Sequence, residues 1–219
     1  MGAHFGNLQK IKDGKRTFSI TPHIPGGFIT ADTMMKIADT AKKYNGILKI
    51  TSGQRIMITN LKEEDLRSIW KELDMEPAVK NQYSIKNVEM CPAGFCKRSK
   101  ENTIRIGMKI SKNFHGKEMP NRTKIGVAGC RNACTSVYAK DVGVIATKEG
   151  FIITAGGSAG FHQRMSDIIV EKLSEEDAYR LVEIMLDYYN ENALMGEKLG
   201  FFIDRIGIEK FKNDVVEKL

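Results

Sequence analysis

No stretch of this 219-residue sequence approaches the ~20 consecutive apolar residues that a membrane-crossing helix requires. The opening segment, Met1 to Lys15, carries charges and glycines but no hydrophobic signal core, so the expectation is a soluble, cytoplasmic chain with no membrane partner. No Gly-rich dinucleotide fingerprint follows a strand, which excludes direct hydride capture from a bound nicotinamide by that motif. Cysteine is absent outside one window: Cys91, Cys96, Cys130 and Cys134 are the only four. Low-complexity segments and strong internal repeats are also missing. What is present fits a folded chain: 42% hydrophobic and 28% charged residues allow a sizeable core and exclude the apolar poverty of disorder. The formal net charge is +7, from 34 Lys+Arg against 27 Asp+Glu, a modest excess that suits an anionic ligand or an acidic partner.

Local patterns divide the chain. Residues 1–27 read as loop-rich, and Thr21-Pro22-His23-Ile24-Pro25-Gly26-Gly27 opposes regular structure. Met34, Ile37, Ala38 and Ala41 fall at helical spacing, with Thr30 or Asp32 as cap and Asn45-Gly46 as stop. Ile47–Thr51 and Arg55–Thr59 read as short strands, and Lys62–Asp74 as a helix through Leu66, Ile69, Trp70 and Leu73. The first 80 residues thus read α-β-β-α. Beyond them, Ile104, Ile106, Met108 and Ile110 alternate as in a strand, while Ile106, Ile110 and Phe114 fit a helix, and both readings stay open. Lys124–Ala128 reads as a buried strand, Val142–Thr147 and Phe151–Ala155 as a hairpin, and Gly156–Gly160 as a flexible turn. Ser174-Glu-Glu-Asp177 resembles a capping box opening a helix to about Tyr189. A last helical stretch, Glu197–Ile206, ends at Gly207 and a short tail.

The cysteines form two close pairs, Cys91-x4-Cys96 and Cys130-x3-Cys134. In a cytosolic chain such pairs point to a metal site or redox chemistry rather than disulfides. Neither pair has the C-x2-C spacing of a zinc knuckle, and the C-x2-C-x2-C run of bacterial ferredoxins is absent. Two looser pairs can still supply four thiolates to an iron–sulfur cube. Gly94 and Gly129 beside them would let backbone approach closely. A zinc site, and four cysteines serving only as small buried hydrophobes, are the alternatives at this level.

Three segments carry a family resemblance. Cys91-Pro-Ala-Gly-Phe-Cys96-Lys-Arg, Pro120-Asn-Arg-Thr-Lys124-Ile-Gly-Val-Ala-Gly-Cys130-Arg-Asn-Ala-Cys134 and Asp141-Val-Gly-Val together resemble the sulfite and nitrite reductases that couple sirohaem to a [4Fe-4S] cluster. Gly46-Ile-Leu-Lys-Ile-Thr-Ser-Gly-Gln-Arg55-Ile is similar to that family's ferredoxin-like half-domain. Gly156-Gly-Ser-Ala-Gly160 and Phe202-Ile-Asp-Arg-Ile-Gly207 are similar to it as well. The length resembles the small single-unit members. The first pair departs from the usual C-x5-C by one residue, which shortens the turn between two ligands.

The resemblance implies an α+β fold, with a ferredoxin-like half-domain over residues 1–80 joined to a mixed α/β sirohaem and iron–sulfur domain over 81–219. It implies that Cys91, Cys96, Cys130 and Cys134 hold the cluster and that Cys134 also bridges to the sirohaem iron. Lys124 and Arg122 match the family's Lys-x-Lys after a proline, and Lys124 is the better proton donor because a guanidinium hardly deprotonates. Arg55 and Lys49, near Gln54, are candidates to anchor substrate or haem carboxylates. Arg98, Arg131, Lys97 and Arg164 are candidates to balance haem carboxylates, and Gly156, Gly157 and Gly160 offer backbone amides to one. His4, His23, His115 and His162 lack paired spacing and read as structural or surface residues.

The implied activity is reduction of sulfite to sulfide, or nitrite to ammonia, with electrons from an acidic carrier such as ferredoxin. Because one unit holds both the cysteines and the cationic residues, two chains can associate as a homodimer so that basic residues of one reach the haem of the other. Two other classes compete: a haem-free iron–sulfur electron-transfer or redox-sensing module, and a zinc-bearing nucleic-acid binder. The latter lacks any recognised motif or aromatic–basic interleaving, so no nucleic-acid partner is expected.

Overall fold

The computed structural model of the chain describes residues 6–12 and 14–219; His4 lies outside them. The chain divides into two compact units, Met1–Lys80 and Asn81–Leu219.

In the first unit, β1 (Asn7–Lys12), β2 (Lys15–Ile20), α1 (Ala31–Lys43), β3 (Ile47–Ile50), β4 (Ile56–Leu61) and α2 (Leu66–Leu73) follow in order. The strands form an antiparallel sheet in the order β1-β2-β4-β3. Thr30 caps α1, its Oγ1 accepting from the Thr33 N–H at 3.2 Å. Ile37 and Ala41 of α1, with Ile69 and Leu73 of α2, bury their apolar stripes against Phe18, Ile20, Ile56 and Ile58. The helices and strands β3 and β4 lie where their periodicities place them. The β1–β2 hairpin is a correction, because residues 1–27 read as loop-rich. These are lysine-containing strands at and beside the sheet edge, so they lack a continuous apolar run. Their local signal is Gly14, at φ +72° just before β2.

The second unit contains β5 (Glu89–Met90), α3 (Ile104–Phe114), β6 (Ile125–Ala128), β7 (Val142–Thr147), β8 (Gly150–Ala155), β9 (Ser158–Ala159), β10 (Gln163–Arg164), β11 (Asp167–Leu173), α4 (Glu175–Asn192), α5 (Leu199–Ile206) and α6 (Ile208–Val216). A five-stranded mixed sheet runs β11-β8-β7-β6-β5, with β5, β6 and β7 parallel and the remaining pairs antiparallel. All of β6 and nearly all of β7 and β8 are buried, which explains their continuous apolar runs. The 104–110 ambiguity resolves as a helix, because Ile106, Ile110 and Phe114 bury one stripe.

Four features here correct the sequence reading. The Gly156–Gly160 turn contains β9, which pairs with β10. β11 was not anticipated: its register shifts twice against β8 and Lys172 sits at φ +63°, so no clean alternation survives. The tail after Gly207 is a helix, α6, that buries Phe211 and Val215 at i, i+4 spacing. Lys124 precedes β6 rather than opening it, and Arg122 lies two residues before Lys124. Even so, Thr123 between them is buried and both are exposed, so they point to one side.

Candidate functional site

The parallel arrangement of β5 and β6 brings the two cysteine pairs together. Cys91 directly follows β5, and its N–H continues the ladder to Val127 O at 3.1 Å. Cys130 lies just past the end of β6. Both pairs therefore sit beyond the carboxyl ends of neighbouring parallel strands, the position where α/β sheets bind ligands. The Gly129 N–H donates to Cys91 Sγ at 3.1 Å. Gly129 O accepts from the Lys100 N–H at 2.7 Å, which ties the segment after Cys96 to the same point. A side chain at Gly129 would collide with Ser99 Oγ and Ala93 Cβ, so this crossing needs glycine. A 3-10 turn at Ala93–Phe95 separates Cys91 from Cys96, and Ala133 at φ +51° separates Cys130 from Cys134.

All four cysteines are free; Cys91 is buried, Cys130 is half-buried, and Cys96 and Cys134 are exposed. Burial pushes the Cys91 thiol up, the Gly129 N–H draws it back, and the charges of Cys134, Cys130 and Cys96 each push it up further. Cys91 thus lies within electrostatic reach of the other three sulfurs. Among the described residues, however, no three Cys, His, Asp or Glu groups converge as ligands of a single ion. An all-thiolate donor set is one that an iron–sulfur cluster, held by one thiolate per iron, can use. Asn132 Nδ2 donates to Cys134 Sγ at 3.1 Å, a contact that sequence reasoning missed.

The cationic candidates separate. Arg122 and Lys124 lie at the amino end of β6, with the whole strand between them and Cys130. Lys124 is well held: its N–H donates to Asp141 Oδ2 at 2.8 Å and its C=O accepts from Val142 N–H at 3.1 Å. Although Lys124 is exposed by surface area, desolvation of its ammonium and the nearby Lys140 charge push it below the usual lysine range, against Asp141 and Glu89. Lys140 pairs with Glu89 at 2.6 Å, both side chains nearly buried. Asp141 is fully enclosed, and burial pushes its carboxyl up to about 6. Its position was visible in the Asp-x-Gly motif, but its role was not. An acid abutting the apolar run of β7 is itself a sign of a buried carboxylate.

The glycine segment is already engaged inside the fold. Gly156 N–H donates to Asp141 O at 2.8 Å, and Gly160 N–H to Ser158 Oγ at 3.4 Å. Gly157 lies so close to Tyr138 O and Lys140 O that a Cβ would meet them at 2.4 and 2.5 Å. Arg164 bonds Asp204 and Asp167, and Arg131 pairs with Glu171 at 2.9 Å. Lys97 and Arg98 are exposed. In the first unit, Lys49 is exposed on β3, Gln54 sits at φ +55° in the β3–β4 turn, and the Arg55 N–H is fixed by Thr51 Oγ1 at 3.2 Å. A cavity of about 310 Å³ opens beside Cys130, lined also by Lys100, Arg131, Lys148, Ile152 and Glu171. Among the described residues, no helix is long and apolar enough to cross a membrane.

Comparison with known proteins accords with this geometry. Residues 84–219 match the nitrite and sulphite reductase 4Fe-4S domain, and residues 9–76 match the nitrite/sulfite reductase ferredoxin-like half domain. An assimilatory-type sulfite reductase of Nitratidesulfovibrio vulgaris is 30% identical over 204 residues, covering 92% of this chain and 94% of that protein. A nitrite reductase [NAD(P)H] of Bacillus subtilis is 31% identical over 204 residues, but the chain spans only 25% of its length. Among solved structures, the NirA protein of Mycobacterium tuberculosis shares the fold, with a TM-score of 0.82 at 15% identity over 94% of this chain and 41% of its own. Dissimilatory sulfite reductase I also gives 0.82, at 13% identity over 91% of this chain and 69% of its own. With both cysteine pairs beyond the ends of parallel strands, the ferredoxin-like half domain matched over residues 9–76 and the 4Fe-4S domain over 84–219, the protein belongs to the nitrite and sulphite reductase family of oxidoreductases.

Proposed function

We propose that the chain catalyses the six-electron reduction of sulfite to sulfide, with nitrite to ammonia as the second substrate, at a sirohaem coupled to a [4Fe-4S] cluster. The observation that carries this reading is the placement of two pairs of free thiols beyond the carboxyl ends of the neighbouring parallel strands β5 and β6, with N–H donors on two of the sulfurs. Cys91, Cys96, Cys130 and Cys134 would hold the cluster, and exposed Cys134 would face the sirohaem. When bound, these groups would relay electrons from a donor and supply the metal centre that the anion needs. The chain's own residues supply the rest. Lys124 and Arg122 present positive charge to an oxyanion, and each oxygen that leaves as water needs protons, which a lysine with a lowered affinity for its proton can give. In the first unit, Lys49, Gln54 and Arg55 would bind carboxylates of the macrocycle or the anion itself.

Sulfite stands ahead of nitrite because a relative matched over nearly its whole length is named a sulfite reductase. Electrons come from an acidic carrier: Lys100 and Lys148 line the cavity beside Cys130 and form no ion pair among the described residues. Two chains associate so that the cations of one reach the haem of the other, and the enzyme works in the cytoplasm. Reconstitution with sirohaem, iron and sulfide tests the reading. Haem and cluster absorption together with sulfide production from sulfite is the expected result; a cluster spectrum alone would favour the haem-free module, and zinc without iron would refute both. Size-exclusion of the loaded protein as a fully active monomer would reject the dimer.

A further inference from the structure

Asp141 sits at the start of β7 beneath the Arg122–Lys124 segment, and it ties two parts of the candidate site together. Its carboxylate accepts the Lys124 N–H at 2.8 Å, and its main-chain carbonyl accepts the Gly156 N–H at 2.8 Å. Lys198 before α5 and Lys124 before β6 place positive charge near it, and Lys140 and Glu89 of β5 act in turn on Lys124. Tyr189 of α4 also faces it, with its hydroxyl given to Glu197 O at 2.5 Å. Glu89 is committed to Lys140 at 2.6 Å. That leaves Asp141 as the buried negative charge available to Lys124 and Lys198. A fully enclosed carboxylate is a cost to the fold unless it does something else.

We propose that Asp141 is the positioning residue for Lys124: it anchors the lysine's backbone and is the enclosed countercharge that keeps a proton on its ammonium. The assignment rests on the reading of Lys124 as a proton donor only for its functional meaning, since the coupling between the two groups can be measured without turnover. Burial pushes the Asp141 carboxyl up to about 6, so at neutral pH it is ionised and opposes the loss of the Lys124 proton that desolvation and Lys140 favour.

The test uses the cofactor-loaded full chain with Asp141→Asn, which keeps an oxygen for the Lys124 N–H but removes the charge. Reaction of Lys124 with acetic anhydride is followed by mass spectrometry across pH, and turnover with sulfite is followed over the same range. The midpoint of Lys124 acetylation should fall, giving a several-fold faster reaction at pH 8, and the alkaline limb of turnover should move to lower pH with it. An unchanged acetylation midpoint overturns the assignment, whatever turnover does. A shifted midpoint with an unmoved alkaline limb upholds the assignment and removes Lys124 from proton delivery. Should Asp141→Asn fail to fold, Lys124→Met at an exposed position gives the reciprocal measurement. The Asp141 carboxyl midpoint, read by 13C NMR, should then rise, and no movement overturns the coupling.

Discussion

The two units use a sheet in opposite ways. In the first, β3 leaves all four of its residues exposed, including Ile50 at 77%, and the helices cover only one face. In the second, β6 buries all four, and its two ends carry the groups the proposed chemistry needs: the Arg122–Lys124 segment at one and Cys130 beyond the other. A sheet buried on both faces gives a stiff rod between two functional ends. A sheet with an open edge strand tolerates change but positions little. The same residue type therefore means different things in the two places. Lys49 on β3 is a charge on a permissive strand, whereas both backbone groups of Lys124 are fixed.

The largest effect that would sharpen this contrast is expected at the cysteine end. Cys134→Ser should abolish sulfite reduction and disturb the haem absorption of reconstituted protein; retention of both would detach this residue from the cofactors. Next, Lys124→Ala should lower turnover by roughly 10²-fold or more while both cofactor spectra persist. Steady-state kinetics beside Lys49→Ala, where a smaller loss is expected, checks the asymmetry, and equal losses would break it.

Stability should separate the units in the same direction. Gly157→Ala drives a Cβ into two backbone carbonyls and should cost about 1–3 kcal/mol in denaturant unfolding. Gly53→Ala in the first unit meets only the movable guanidinium of Arg55 and should be nearly neutral. Asp141 gives a pH-dependent counterpart. Its carboxyl is raised from 3.8 to about 6, so the folded state holds the proton more tightly and stability falls as pH climbs through that window. Asp141→Asn escapes the penalty, so the variant should gain on the parent by at most about 3 kcal/mol above pH 6, the gain shrinking towards pH 4. A difference that stays constant across pH would contradict a buried charge. Smallest of all, Ile50→Thr on the exposed strand should change unfolding by less than about 0.5 kcal/mol.

Legibility followed the same divide, in a physical sense. The helices α1, α2 and α4, the strands of the β7–β8 hairpin and the cysteine pairing could be read because each rests on local periodicity, a cap or a spacing. Thr30 and Ser174 are examples, since both hydroxyls accept the N–H three residues on. β11 and α6 were missed for opposite reasons. Bulges scrambled the alternation of one, and the other shows only Phe211 and Val215 as its apolar stripe. At the site, the thiols were legible from composition alone. Asp141 was not, because its importance lies in contacts with Lys124 and Gly156, 17 and 15 positions away, that only the sheet creates.

The Glu89–Lys140 pair has a consequence for how such a sequence can drift. The two side chains meet at 2.6 Å with 13% and 11% of their surfaces open to water, and they join residues 51 positions apart. Exchange of either alone would strand an ion in the interior, which typically costs about 3–5 kcal/mol, whereas joint replacement by two well-packed apolar side chains can be neutral. Substitution at these two sites should therefore travel in tandem, with single-step intermediates rare among descendants of this chain.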